Sequence, residues 1–319
     1  MVESPKSTCL EGVEMQKSRS LMPPHQVSRF SLKNGCLRSL CRLYPFYKGR
    51  YRFMKLAERF LDKREQASVN LFGRYPFLLD LGRGDLESSF YYFIPEHYES
   101  ETQQYIRGHV KPGMTVMDIG AHLGFFSILL ADGVGPTGKV YAFEPEEKNF
   151  ERLQLNLEAN GFSWVSAYPM AFSDESGKQK LMLHYQYSSG HFLARSVSQA
   201  RIDALGHGTQ EVCVTTLDEV MENQNLRRID LIKIDAEGSE ALILRGGQKM
   251  LSSGAARHLI CEVHSSTPDK ADEVRLVLYG YGYRSYVLNS KLSGRDYLSE
   301  LKPEEPVLGL QNLVFKKTT

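Results

Sequence analysis

The sequence predicts a doubly wound α/β fold behind a helical and β-hairpin extension, and two observations carry that expectation. From Thr115 onward, short apolar runs without alternation each lead into a helical pattern, as strands of a parallel sheet covered on both faces do. The first of these runs delivers Asp118-Ile119-Gly120-Ala121-His122-Leu123-Gly124, a strand end, a glycine-bounded turn and a helix start. Composition agrees. With 42% hydrophobic and 24% charged residues over 319 positions, wholesale disorder is excluded and one large domain with an appendage fits the length.

The elements follow in order. Residues 1–30 are polar, carry Pro23-Pro24 and show no sustained period, so a disordered lead is expected over 1–36. A second unit, 37–110, begins with Leu37 to Leu61, where Arg and Lys interleave with Leu, Tyr and Phe and where Pro45 and Gly49 separate two helical pieces. Residues 1–66 hold 14 Lys and Arg against 6 Asp and Glu. Such a segment, over 37–64, can meet a membrane surface or a partner. Docking of its apolar face on the main domain is the preferred reading, because Pro45 and Gly49 interrupt any long continuous face. VNLF (69–72), PFLLDL (76–81) and SFYYFI (89–94) predict a small β-hairpin layer, and Glu99 to Val110 a helix ended by Lys111-Pro112-Gly113.

The third unit, 111–319, carries candidate strands at 115–119, 139–144, 165–171, 231–234 and 259–263. Helices are expected over Phe125 to Ala131 and Asn149 to Ala159, with a longer one after Ser239. Residues 184–210 read as a long polar loop shaping an acceptor pocket. Tyr283 to Leu288 and Leu308 to Phe315 close the chain as two strands with no helix between them, one running antiparallel.

Several positions carry chemistry. A dinucleotide fingerprint would need glycine at positions 122 and 125, which are His and Phe, so a nicotinamide or flavin oxidoreductase loses ground. What remains is D-x-G-x-x-x-G, in which Gly120 admits a ligand close to the backbone and Asp118 accepts a hydrogen bond. Glu144-Pro145 ends the second strand, 20 residues past Gly124, where an acid can hold ribose hydroxyls. Ser173-Asp174 follows the third strand and could meet a purine edge. Lys233 and Asp235 sit in or just beyond an apolar strand, and burying either unpaired would be costly. Asp235 and Glu237 flank that strand's end, Glu262 interrupts the next, and His264 closes it as a candidate general base.

Together these residues resemble the FkbM-type branch of the class I S-adenosylmethionine-dependent methyltransferases. The resemblance rests on Val116 to Phe126, Ala142 to Pro145, Thr216-Leu217-Asp218, Ile229 to Glu240, the closing Gln311 to Phe315 and the upstream Tyr98-Glu99. It implies a Rossmann-like seven-stranded sheet with one antiparallel strand, S-adenosyl-L-methionine as cofactor, and O-methylation of a small-molecule or glycan hydroxyl. Carried over by position, Asp118, Gly120, Ala121 and Gly124 line the donor's amino-acid end, Glu144 and Pro145 the ribose, and Ser173-Asp174 the adenine. Asp235 lies near the reactive methyl. The candidate bases are Asp235, Glu237 and His264. His122, often Asn in this family, and Ser239, often aromatic, depart from its pattern. A binding scaffold that keeps the donor pocket without turnover is the alternative.

Other classes recede. A formal net charge of +1 argues against nucleic acid held by charge. Asp235 and Glu237 could instead hold a divalent cation that lowers the hydroxyl pKa, but neither their spacing nor the family pattern demands it, and His184, His191 and His207 show no metal spacing, so no metal is expected. Cys9, Cys36, Cys41, Cys213 and Cys261 form no C-x-x-C pair, and no apolar leader opens the chain, so a reducing, cytoplasmic setting is expected.

Overall fold

The computed structural model describes residues 32–44, 47–62, 66–83, 86–184, 187–264, 268–290, 297–307 and 309–318. Most of the expected lead lies outside them. Its last part does not: Leu32 to Cys36 opens the first helix, α1 (Leu32–Leu43), which pairs with α2 (Tyr47–Glu58) as a helical hairpin. The Asn34 side chain closes that hairpin, donating to the Asp62 carbonyl at 3.2 Å and accepting the Asp62 N–H at 2.9 Å. Its inner face buries Cys41, Met54 and Ala57.

β1 (Gln66–Leu71) and β2 (Tyr75–Asp80) form the expected hairpin, with Val69 opposite Phe77. Ala67, Val69 and Leu71 face the same core as Tyr75, Phe77 and Leu79, the period of two a half-buried strand requires. SFYYFI is not a third strand but most of α3 (Leu86–Phe93). Tyr91 stacks on Phe125 with centroids 4.9 Å apart and meets Phe77 edge-on. A short, wholly apolar run buried on several sides has no period that separates strand from helix. α4 (Ser100–His109) then leads into the main sheet.

That sheet uses β3 (Thr115–Ile119), β4 (Lys139–Phe143) and β5 (Val165–Tyr168), with α5 (Phe125–Val134) and α6 (Glu147–Ala159) between them. The expected strand over 165–171 is split. Pro169 has no N–H to continue the ladder, and the chain leaves as β6 (Met170–Phe172) for a second sheet. The residues expected as a long loop also fold: β7 (Gly177–His184), β8 (Phe192–Leu193), α7 (Gln199–Leu205) and β9 (Gly206–Thr215). These strands make a four-stranded layer ordered β6-β9-β7-β8.

After α8 (Leu217–Asn223) the chain returns as β10 (Ile229–Ile234). The helix expected beyond Ser239 is broken into α9 (Glu240–Arg245) and α10 (Gln248–Ser253) by Gly246-Gly247, where a Cβ on Gly246 would stand 2.2 Å from the Ser173 carbonyl oxygen. β11 (Ala256–His264), α11 (Pro268–Gly280), β12 (Tyr283–Leu288), β13 (Leu298–Leu301) and β14 (Leu310–Lys317) complete the chain.

The main sheet runs β13-β12-β14-β11-β10-β3-β4-β5. β14 is antiparallel to both β11 and β12, as a seven-stranded sheet with one reversed strand requires. β13 is an eighth strand, added antiparallel at the edge. Its approach is secured by buried Arg275, whose guanidinium donates to the carbonyls of Lys302, Pro303 and Glu305. Among the described residues no helix is long and apolar enough to cross a membrane.

Strand order reverses between β3 and β10, the point at which open α/β sheets leave a crevice at their carboxyl ends.

Candidate active site

The crevice is a cleft of about 950 Å³, its open mouth included. Asp118, Gly120, Ala121, Glu144, Pro145, Asp235 and Glu237 all line it. Gly124, Ser173 and Asp174 do not.

The turn after β3 is built from backbone constraints. The N–H groups of Gly120 and Ala121 both donate to the Phe143 carbonyl, at 3.0 and 2.9 Å, which ties the turn to the end of β4. Gly120 has φ +80°, and a Cβ there would stand 1.8 Å from the Asp235 carbonyl oxygen. The glycine is therefore required by the protein's own β10 terminus, a constraint the sequence reading had assigned to a ligand. Gly124, at φ +93°, starts α5 and leaves room for Leu153, whose Cδ1 would lie 2.7 Å from a Cβ. It shapes the turn from behind.

Glu144 projects from the end of β4 and is buried. Its Oε2 accepts the His122 N–H at 2.9 Å and its Oε1 the Glu146 N–H at 3.0 Å. Asn149 adds a side-chain hydrogen bond to the same carboxylate, which still leaves it acceptor capacity for a ligand hydroxyl. Burial pushes this carboxyl up to about 7, against the pull of those two N–H groups. His122 holds φ +50°, a costly geometry for a residue with a Cβ, and its Nε2 meets Ser188 Oγ at 2.8 Å. Asn156 supports the turn by donating to the carbonyls of Leu123 and Leu78, which couples the N-terminal hairpin to the site.

Ser173 and Asp174 turn away from the cleft. Ser173 Oγ donates to Asp174 Oδ1, and Asp174 pairs with Arg195 at 3.2 Å. Met170, Ala171 and Phe172 of β6 line this end instead, an apolar wall that follows from the strand's move into the second sheet.

Opposite lies a charged cluster. Lys233 faces Asp118 across the β3–β10 register, is 1% exposed, and donates from Nζ to Asp235 Oδ2 at 2.8 Å. Nζ also stands 4.5 Å over the Phe126 ring. Burial opposes its charge, but Asp235, Glu99 and Asp118 outweigh it and hold the ammonium above the usual lysine range. Burial likewise opposes the Asp235 carboxylate, yet Lys233 pulls it below the usual range. The other acids move upward: burial and Asp235 raise Glu262 strongly, and burial, Asp235 and Glu240 push Glu237 up to about 8. Oxygens of Asp235, Glu237 and Glu262 come within 4.8 Å of one another. A hydrogen bond between the Asp235 and Glu262 carboxyls draws Asp235 down and Glu262 up. Glu237, at φ +52°, pairs with Arg201 at 3.3 Å.

Sequence reasoning missed Glu99 as part of this cluster. It caps α4 at φ +40° and accepts from Asn312 Nδ2 at 2.7 Å, so the upstream Tyr98-Glu99 and the closing Gln311-Asn312, two separate parts of the family pattern, meet here. Burial raises Glu99 to about 7 despite Lys233. Tyr91, hidden in the run read as a strand, and Tyr98 line the cleft as well. Glu262 was visible as an acid inside an apolar strand, with no signal for its role. His264 ends β11, and its side chain lies outside the described residues.

A mixed sheet whose reversed strand β14 lies between β11 and β12, a crevice at the β3–β10 switch and an acid ending β4 define a Rossmann-like methyltransferase. The Methyltransferase FkbM domain matches residues 118–285, more than half the chain, and the chain belongs to that family. S-adenosyl-L-methionine is the cofactor this membership brings. The chain is 27% identical over 218 residues to AMB antimetabolite synthetase AmbE of Pseudomonas aeruginosa, covering 58% of this chain and 10% of that protein. It is 28% identical over 195 residues to 31-O-demethyl-FK506 methyltransferase FkbM of Streptomyces tacrolimicus, covering 54% and 74%. Among solved structures, Aeropyrum pernix fibrillarin with natively bound S-adenosyl-L-methionine is similar at 12% identity and a TM-score of 0.37, covering 68% of this chain and 73% of that one.

The residues fit the cofactor. Asp118 Oδ1 is buried without a hydrogen-bond partner while Oδ2 accepts from Ser127 at 2.6 Å, and an unsatisfied buried acceptor on the cleft wall is a place for a ligand donor.

Proposed function

We propose that this chain transfers a methyl group from S-adenosyl-L-methionine to a hydroxyl oxygen of a small molecule or glycan, in the cytoplasm. The carrying observation is the juxtaposition, in one cleft, of the Glu144 turn with the Asp235–Glu237–Glu262 carboxyl cluster. When bound, the cofactor supplies a methyl already activated by its sulfonium. Asp118, Gly120 and Ala121 would hold its amino-acid end, Glu144 and Pro145 its ribose, and Met170 to Phe172 the adenine face, in place of Ser173 and Asp174.

The chain's own task is then to orient the acceptor and take its proton. Asp235 stays ionised beside Lys233 and can accept a hydrogen bond from an acceptor hydroxyl, fixing its direction. Glu237, raised to about 8, is the group poised to exchange a proton near neutral pH. His264 remains a further candidate for that role. The aromatic wall of Tyr91, Tyr98 and Phe125 would cover an acceptor's apolar face.

The test is a screen of hydroxylated small molecules and glycans against otherwise matched amines, scored by methyl incorporation and by the carbon shift of the new methyl. A methoxy signal supports the reading. Transfer to amines alone overturns the choice of oxygen. Donor binding with no transfer to any acceptor favours the scaffold.

A further inference from the structure

The helical hairpin α1–α2 carries apolar residues on both of its faces. Its inner face is satisfied: Cys41, Met54 and Ala57 are buried, Leu37 and Phe53 pack against the same core, Tyr44 stacks on Phe53, and Arg50 reaches Glu96 at 3.5 Å. The outer face is not. Leu32, Leu40, Leu43, Leu56 and Phe60 are between 52% and 87% exposed, and Tyr51, at 43%, is partly covered by stacking on Phe90. They account for six of the eight large hydrophobics exposed among the described residues, the others being Tyr187 and Leu276.

On α1, Leu32, Cys36, Leu40 and Leu43 follow one another at spacings of four, four and three, one stripe of a helix. On α2 and its continuation, Arg52, Lys55, Leu56, Arg59 and Phe60 alternate base with apolar group on the outer side. Lys33 and Arg42 add to the charge. Among described residues 32–62 no acidic residue is exposed, since Glu58 and Asp62 are both partly covered.

A surface helix ordinarily turns polar residues outward, and an exposed apolar patch of this kind marks a contact surface. Charge decides the partner. Two copies of this face related by a two-fold axis would bring one basic patch against another, with no exposed acid among residues 32–62 to answer it. An anionic phospholipid surface answers both features: phosphate and carboxylate headgroups meet the bases, and Leu and Phe side chains enter the acyl boundary.

We infer that the α1–α2 hairpin is a peripheral membrane-docking element that binds anionic bilayers through Leu32, Leu40, Leu43, Leu56 and Phe60, with Lys33, Arg42, Arg52, Lys55 and Arg59 around them. The two helices are only 12 residues each, too short to span a bilayer, in agreement with the absence of a spanning helix among the described residues. The inference is independent of what the cleft binds.

The experiment is co-sedimentation of the full chain with extruded vesicles, either phosphatidylcholine alone or phosphatidylcholine with about one third phosphatidylserine, the composition that engages polybasic, apolar faces. Binding to the anionic vesicles should exceed binding to the neutral ones at least several-fold and should weaken in 0.5 M salt, where the Debye length is shorter than about 5 Å. A Leu40→Ser/Leu56→Ser/Phe60→Ser variant and an Arg42→Glu/Arg52→Glu/Arg59→Glu variant should each lose most of it. All six positions are exposed, so both variants should keep the wild-type melting temperature and cofactor binding. Full-length protein that stays in the supernatant with anionic vesicles overturns the inference, as does binding that both variants retain. A dimer in sedimentation velocity that the same variants dissolve also overturns it, assigning the face to a second copy.

Discussion

The carbonyl oxygen of Asp235 occupies the space that a side chain on Gly120 would need, 1.8 Å from where a Cβ would stand. The turn after β3 and the charged cluster after β10 are thus interlocked through their backbones, and neither can shift without the other. Rigid placement of both halves of the cleft follows from this contact.

Gly120→Ala is expected to destabilise the fold as well as the site. The φ of +80° and the collision with a backbone atom each cost on the order of 1–3 kcal/mol. Chemical denaturation should show a loss of about 2–5 kcal/mol. A variant with unchanged stability would mean that the turn relaxes independently of β10.

Lys233→Met should cost about 3–5 kcal/mol at neutral pH, because it strands Asp235 and the neighbouring acids. Lys233 has its pKa raised, so its own charge persists throughout the range below the ordinary lysine pKa and is lost only as pH rises through its higher folded value. The pH dependence of the loss therefore comes from the acids. Glu99, Glu262 and Asp118 take up protons readily, so the penalty should shrink between pH 8 and pH 5.5. Urea unfolding at the two values, with equal losses, would contradict this.

Glu237 should make the cofactor-free protein less stable as pH rises. Its folded value of about 8 lies above its ordinary 4.5, so its contribution is fully present below about 4.5 and is lost as pH climbs through 8. Glu237→Gln removes that dependence. The stability of wild type relative to the variant should fall steadily from pH 5 to pH 8.5, and a flat difference would show that Glu237 titrates normally.

For turnover, Glu237→Gln should remove the limb of the kcat profile near pH 8, while Asp235→Asn should lower kcat by about 10²–10⁴ through loss of acceptor orientation and proton handling. Profiles measured under saturating cofactor check both. A limb that survives in Glu237→Gln moves the base elsewhere, to Asp235 or His264.

The proposed donor side of the cleft was legible as geometry because its residues are local: Asp118, Gly120 and Glu144 each lie at the end of a strand that its own apolar run reveals. The charged cluster opposite was not, because it is assembled from distance. Glu99 meets Asn312 across 213 residues, and no spacing rule reaches that far. Ser173-Asp174 failed because Pro169 moves β6 out of the main sheet, which a continuous apolar run from 165 to 171 conceals. SFYYFI failed for a related reason: apolarity without alternation reports burial, and both strands and helices can be buried. The parallel strands β3, β4 and β10 were read within two residues and β11 within three, since helices on both faces leave an unbroken apolar run as their signature.

The most direct measurement is calorimetric titration of S-adenosyl-L-methionine into the full chain, beside Glu144→Gln shown to be folded by circular dichroism. One site with micromolar affinity is expected, weakened about 10- to 100-fold in the variant, where a charge-assisted acceptor is replaced by an amide. Folded wild-type protein that takes up no cofactor would contradict the account.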